Sequence, residues 1–546
     1  MITDLTAAGY PFDVVAYERF VDMSFGDSDA HDVVILNGHT APIPVADVAA
    51  KCLRWLQAGR KIFINGYLPF TRYDDGGKQV ETVEYGQELF DFTFDTHWVN
   101  GKAIVPEDLE KDREITSIGH FLSRVHTCRL KSQQDRSMTL NGHTIAFLTA
   151  KGGVVSGTSD YILNLLDYGK VVNHLRYGGT GMVGFANDRI GGKPLVSFEV
   201  HCDATRDLAA IDAVESLADE FRLPLLNLLV RDKITEAAAK RWNEASRNPF
   251  MAIGSHSRTH PQDWPSVSDF DDQTRGALES QRAIVPATGT YFNFSGAMNP
   301  TPRQIDDLYR SGTIFGAKGQ DSRWAGHPFG VPWCSFWDSP LKSLARHFLS
   351  PLWPPREIQV MPTNLKWLIA LSQTEATPYC LSQTLPSDFE VWESKKNYDE
   401  EIRKYFGQNV KYGLYTYGYI HDYANNTIYD KFRTRGVHLA YQIRSALTYL
   451  RSKNVEFIGT ENLIRRLRDF ATGWIDYDTL PDGWLHVTVH RENALANDVK
   501  VGSRNNMVPV ASGESVTDQH LIGNTLYICL KPEVKSSFYV YFISNQ

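Results

Sequence analysis

Pro194-Leu195-Val196-Ser197-Phe198-Glu199-Val200 reads as a strand, and Glu199-Val200-His201-Cys202-Asp203 carries it into a loop. Side chains alternate across a strand, so Glu199, His201 and Asp203 share one face. Residues 207–221 then have helical spacing, with Leu208, Ile211, Val214 and Leu217 on one side. Residues 223–229 form the next strand. The alternation runs to about residue 470, where Val455-Glu456-Phe457-Ile458 is a strand and Thr460 caps the helix 461–470. Repeated strand–helix units imply a parallel sheet covered by helices.

The same pattern occurs upstream. Phe12-Asp13-Val14-Val15-Ala16-Tyr17 is a short strand after a helix over 3–9, and Asp32-Val33-Val34-Ile35-Leu36 is a buried strand ending at Asn37-Gly38. Residues 45–57 have helical spacing and close at Gly59. Lys61-Ile62-Phe63-Ile64 comes next as a strand ending at Asn65-Gly66. Residues 1–150 therefore predict a parallel α/β domain, and 151–190, rich in Gly and Tyr, a connection. From Trp474 onward the period changes to two: Leu485-His486-Val487-Thr488-Val489, Val499-Lys500-Val501, Thr525-Leu526-Tyr527-Ile528-Cys529 and Phe538-Tyr539-Val540-Tyr541-Phe542 read as strands separated by turns. Residues 473–546 predict a small β-sandwich.

The chain has 546 residues and 42% hydrophobic content, too much for one core, so about three domains are expected. A net charge of -8 without long charge runs gives no basic footprint for nucleic acid. The six cysteines, Cys52, Cys128, Cys202, Cys334, Cys380 and Cys529, form no CxxC pair, so a disulfide framework or cysteine-rich zinc site is not expected. No signal peptide and no apolar run long enough for a membrane span is read, and the compartment stays open.

The chemistry centres on Gly254-Ser255-His256-Ser257-Arg258-Thr259-His260-Pro261. Two histidines four apart on a helical turn can converge on one ion. A surface pair or a turn cap is the bland alternative. Asp203, 53 residues before His256, ends a strand where α/β folds build sites. Two histidines and one carboxylate leave positions open for water and substrate, the pattern of a catalytic divalent ion such as zinc.

These residues are similar to the polysaccharide deacetylase (NodB-homology) family, over about residues 190–470. The resemblance implies a deformed (β/α) barrel over 191–472. Val200-His201-Cys202-Asp203-Ala204-Thr205 looks like the family's first motif and HSRTH like its second. Asp203, His256 and His260 are then the metal ligands, and His201 stands where the family has an aspartate base. His201 as base, His201 as a fourth ligand, an impaired site, and Glu199 as base in a shifted register all stay open. Tyr291-Phe292-Asn293-Phe294-Ser295-Gly296 is similar to FRPPxG, with Asn293 in place of the arginine that orients the base. Trp333, Trp337 and Asp338 fill the region of the tryptophan motif; with Asn293 they are the candidate substrate contacts. Gly418-Tyr419-Ile420-His421 is similar to the last motif, which makes His421 the general acid; a satisfied core histidine is its alternative. The first 150 residues resemble flavodoxin-like domains related to class I glutamine amidotransferases. Cys52 lies within a helical pattern rather than on a strand-to-helix turn, so a structural or sugar-contacting role is expected and no amidotransferase chemistry.

The resemblance implies removal of N-acetyl groups from a hexosamine polysaccharide. The rivals are a carbohydrate-binding protein on a degenerate scaffold, favoured by His201 and Asn293, and a metal-dependent hydrolase of another amide or ester. A glycosidase is disfavoured because no convincing pair of carboxylates stands at strand ends.

Overall fold

A computed structural model describes residues 22, 33–38, 45–66, 71–73, 79–82, 92–95, 103–107, 111–115, 127–130, 136–140, 143–149 and 152–155, and then 183–202, 208–295, 314–316, 385, 397–413, 415–421, 433–491, 495, 498–502 and 507–544. The described residues up to 155 belong to one compact unit and those from 183 to another.

In the first unit, β1 (Val33–Gly38), α1 (Val45–Gln57) and β2 (Lys61–Gly66) form a parallel β–α–β unit, with Val33 beside Lys61. Cys52 and Trp55 of α1 are buried, as are Ile62 and Phe63 of β2. Burial pushes the Cys52 thiol up to about 12, which keeps it protonated and inert. β3 (Gly152–Val155) adds a third parallel strand beside β2. Beyond these three the expected parallel, flavodoxin-like sheet is corrected: the remaining pairings of this nine-stranded sheet are antiparallel. The reason is local. Arg136–Leu140 and His143–Thr149 are separated only by Asn141-Gly142, a dipeptide that favours a tight hairpin and leaves no room for a crossover helix. The strand expected at 12–17 and the helix at 3–9 lie outside the described residues.

In the second unit, β5 (Lys193–Cys202) is the middle of a parallel sheet. On one side come β6 (Leu225–Leu229), β7 (Met251–Ser255), β8 (Thr288–Asn293) and β9 (Ile314–Gly316). On the other lies β10 (Thr416–His421), and β11 (Glu456–Phe457) pairs with the start of β5. Pairing between β9 and β10, which barrel closure would need, is not present among the described residues.

The two faces of β5 differ. Val196, Phe198, Val200 and Cys202 pack into the core made with α2 (Leu208–Phe221), α3 (Glu236–Ala245), α5 (Tyr398–Tyr412) and α6 (Arg433–Ser452), α4 (Ala277–Ile284) lying between β7 and β8 in sequence. Residues of the other parity point to the opposite face. There Leu195 joins Leu226, Leu228, Tyr291, Tyr417 and Leu463 of α7 (Thr460–Thr472), while Ser197, Glu199 and His201 are wholly buried polar groups. Strands covered on both faces normally read as continuous apolar runs. A polar group at every second position sets this face apart from the apolar one.

The C-terminal part is a sandwich of two four-stranded sheets. One contains β12 (Trp474–Thr479), β13 (Leu485–His490), β18 (Lys535–Ser544) and β15 (Met507–Ser512). The other contains β14 (Asp498–Gly502), β17 (Thr525–Leu530) and β16 (Val516–Ile522), and its fourth strand is β4 (Val183–Phe185). Val183 pairs with Val501, so residues within the stretch read as a connection complete a distant sheet. Val183, Phe185, Ile475, Val487, Val499, Ile528 and Phe538 form the core between the sheets.

Between β4 and β5 the chain enters a buried charged cluster. Asp188 accepts from Tyr527 Oη at 3.1 Å and lies 3.4 Å from Arg189 and 3.7 Å from Lys500. Arg466 of α7 donates to the Arg189 carbonyl at 3.1 Å. Burial pushes its guanidinium down to about 10, against the opposing charges of Asp498, Asp469 and Asp188. Removing one member of such a cluster strands the others in a dry interior. Arg466→Ala therefore lowers unfolding stability by about 3–5 kcal/mol, measured by urea titration. A change within about 0.5 kcal/mol, as for an ordinary surface residue, would show that the cluster is solvated.

Candidate active site

Glu199 and His201, two residues apart on β5, point the same way and are both fully buried. His201 Nε2 and Glu199 Oε1 are 2.7 Å apart. Asn293, the last residue of β8, donates its amide to the same carboxyl oxygen. Tyr291, two residues earlier on the same face, donates its hydroxyl to the other oxygen at 3.2 Å. Burial pushes the Glu199 carboxyl up to about 7, against the lowering effect of hydrogen bonds from Tyr417, Tyr291 and Asn293. Burial likewise raises Tyr417 well above the usual phenol range, so it stays a donor. The carboxyl is thus poised near neutral pH, and its neighbour is an imidazole.

His256 comes directly after β7. Its backbone N–H donates to the Leu229 carbonyl at 2.8 Å, and its Nδ1 lies 3.0 Å from the Asn293 carbonyl. A carbonyl only accepts, so Nδ1 carries the proton and the lone pair is on Nε2. A ligating histidine is normally oriented in this way. The His201 and His256 ring centroids are 4.4 Å apart, and those of His256 and His260 5.1 Å.

The helical turn expected for HSRTH is corrected. β7 stops at Ser255 and gives way to a loop with left-handed backbone at Ser257 (φ 79°) and His260 (φ 68°). The side chains converge because the loop folds back, not because a helix stacks them. Such backbone at non-glycine residues costs of order 1–3 kcal/mol each and needs outside support. Here the support comes from the end of β8 and its continuation. Ser257 Oγ bonds Ser295 Oγ at 3.2 Å, Ser295 Oγ donates to the Pro261 carbonyl at 3.1 Å, and Trp264 Nε1 donates to the Ser295 carbonyl at 2.6 Å. Arg258 is held by Asp272 at 2.7 Å. Gly254 lets this strand end approach its neighbours: a Cβ there would stand 2.9 Å from both Leu228 Cδ2 and the Tyr291 carbonyl.

His260 Nδ1 lies 2.8 Å from the Gln262 amide. That amide can present oxygen or nitrogen by a half-turn, so either ring nitrogen of His260 can hold the lone pair. The two imidazoles, one with an oriented Nε2, thus fit the ligand role for a divalent ion. Among the described residues no group of three or more His, Cys, Asp or Glu could hold a metal. Asp203, the third expected ligand, lies outside the described residues, as do Trp333, Trp337 and Asp338. His421 ends β10, its backbone in register with that of His201. Asn293, expected on substrate, is buried and donates its amide to Glu199. Tyr291 and Tyr417 are the neighbours of Glu199 that the motifs do not single out. Their signal is parity: Tyr291 is two residues before Asn293, and Tyr417 is in register with Ser197.

No family model and no curated protein matches the sequence. A search of solved structures finds the chitin deacetylase of the fungal pathogen Colletotrichum lindemuthianum, 13% identical over 50% of this chain and 89% of that one, with a TM-score of 0.29. It also finds a putative polysaccharide deacetylase from Mycobacterium smegmatis, 11% identical over 51% and 91%, TM-score 0.31. A CE4 family pseudoenzyme from Bacillus anthracis is 10% identical over 50% of this chain and 66% of that one, TM-score 0.27.

Proposed function

We propose that this chain is a metal-dependent hydrolase that removes N-acetyl groups from an acetylated hexosamine polysaccharide. The observation that supports it is the buried Glu199–His201 pair, 2.7 Å apart, with its imidazole 4.4 Å from that of His256. His256, His260 and Asp203 would hold the ion, with zinc favoured by the donor set. Bound there, a divalent ion supplies Lewis acidity for the acetamide carbonyl and makes water more acidic. His201 takes the proton of the attacking water as general base. Glu199, ionised, stabilises the imidazolium that results, as a buried carboxylate does behind a catalytic histidine. The two alternatives for the base, His201 and Glu199, thus become one unit, with Asn293 orienting the carboxyl in place of an arginine. His421 gives a proton to the leaving amine, and the products are acetate and a free amine on the sugar.

A second reading, carbohydrate binding without turnover, is favoured by one observation. Asn293 offers Glu199 a hydrogen bond but no full charge, and the carboxyl rises to about 7. Acetate release decides between them. The native chain is expected to release acetate from N-acetylated hexosamine oligomers faster than from O-acetylated sugars, to lose this with a chelator and to regain it with zinc. Retained metal without any acetate would establish the binding protein. Preference for O-acetyl groups would establish an esterase.

A further inference from the structure

The outward face of the sheet β12-β13-β18-β15 carries a row of aromatic rings that no described element of the sandwich covers. Trp474 is 52% exposed, Trp484 41% and Tyr539 43%. The core-facing residues of β13 are Leu485, Val487 and Val489, so His486 and His490 project outward with them. Cross-strand pairs fix the rings. Trp474 stacks on His490 with centroids 4.4 Å apart and planes 12° apart. His486 meets Tyr539 at 5.0 Å, and Trp484 meets Tyr541 at 5.1 Å. Trp474 and Trp484 stand at opposite ends of β12, roughly 20 Å apart at strand rise.

Polar groups lie between the rings. Asp476 and Asp478 of β12 point to the same side as Trp474 and are exposed. Asp476 accepts from Trp474 Nε1 at 3.1 Å and lies 3.8 Å from His490 Nε2. His486 bonds Ser537 at 2.7 Å. A protein partner would favour a continuous apolar patch with an anchoring pocket. Flat rings separated by hydrogen-bonding groups fit instead a chain of alternating flat apolar faces and hydroxyls, which is a glycan. The two carboxylates outnumber the one lysine described on this face, Lys535 beside His490, and add a preference for positive charge, which the aromatic faces share.

We propose that this face is a second carbohydrate-binding surface, which takes a hexosamine chain bearing free amines. The choice of ligand rests on the rings and on Asp476 and Asp478, not on the hydrolytic reading, although an amine-bearing chain is also the product of that reaction. Such a surface would hold the polymer while its acetylated stretches are processed.

The test is calorimetric titration of the full chain with β-linked oligomers of glucosamine, N-acetylglucosamine and glucose. Glucosamine oligomers are expected to bind at least about tenfold more tightly than the other two, a margin that one or two cation–aromatic and carboxylate contacts can supply. Trp474→Ala with Trp484→Ala is expected to weaken this binding by about the same factor while leaving acetate release from a short soluble substrate unchanged. Asp476→Asn with Asp478→Asn is expected to reduce the preference for amines. His256→Ala is expected to bind as the native chain does, which separates this surface from the hydrolytic site. Native binding in the tryptophan variant, equal binding of all three oligomers, or loss of binding in His256→Ala would each overturn the proposal.

Discussion

Glu199→Gln is expected to lower acetate release by about 10²–10⁴-fold, the usual contribution of a positioned proton-transfer group. Glutamine keeps the shape and hydrogen bonds of the carboxyl but cannot carry the charge that stabilises an imidazolium at His201. The pH profile makes the prediction specific. Burial pushes Glu199 up to about 7, so the carboxyl is ionised above that pH and takes up a proton below it. The native rate therefore falls as pH drops through about 7, and the residual rate of the variant lacks this limb. A stability effect runs alongside. A carboxyl whose folded value exceeds its ordinary value of 4.5 binds protons preferentially in the folded state. Its contribution is most favourable below pH 4.5 and worsens as pH rises to about 7. At about 1.4 kcal/mol per unit, that decline is about 3 kcal/mol. Thermal unfolding from pH 5 to 8 thus shows the native chain losing stability relative to the glutamine variant. A variant with the native rate and the native pH profile would remove Glu199 from the reaction.

His256→Ala is expected to weaken divalent metal binding by more than the 10–100-fold that loss of an outer-shell partner typically causes. The reason is that Asn293 holds the His256 ring by Nδ1, so that the lone pair of Nε2 is oriented before any ion arrives. His260→Ala does the same, whereas Glu199→Gln keeps native metal content because its contacts are to His201, Asn293 and the tyrosines. Metal content of the purified proteins, by elemental mass spectrometry, is the readout, with an unfolding curve for each variant to show that it folds. Equal metal in the native chain and in both histidine variants would leave the site without its ion.

The parallel sheet around β5 is legible because its strands are long and its helices periodic: the strand read at 194–200, the helix at 207–221 and the strand at 223–229 stand at 193–202, 208–221 and 225–229. The meeting of His201, His256 and His260 is legible for a partly mistaken reason. Spacing of four suggests a helix, whereas the rings are joined by a loop whose geometry depends on Ser295 and Trp264, which no local pattern reveals. Tyr291 and Tyr417 escape notice because a tyrosine in a strand reads as core packing. Their hydroxyls become meaningful only once Glu199 is known to accept from them. In the first unit the parallel pattern is right for β1 and β2 and fails where Asn141-Gly142 calls for a hairpin. The strand Val183–Phe185 cannot be read at all: three residues show no period, and their partner lies across the whole sheet-forming segment.

That distant pairing sets an order of assembly. A ribosome releases Val183–Phe185 well before it releases Asp498–Gly502, so the nascent chain carries a short apolar strand without a mate while the parallel sheet forms behind it. The terminal sandwich closes only when both segments have emerged. A fragment beginning at residue 473 would leave the edge of β14 open to pairing with another copy. Excision of this lobe for separate expression therefore needs Val183–Phe185 grafted back, by circular permutation or as an added peptide.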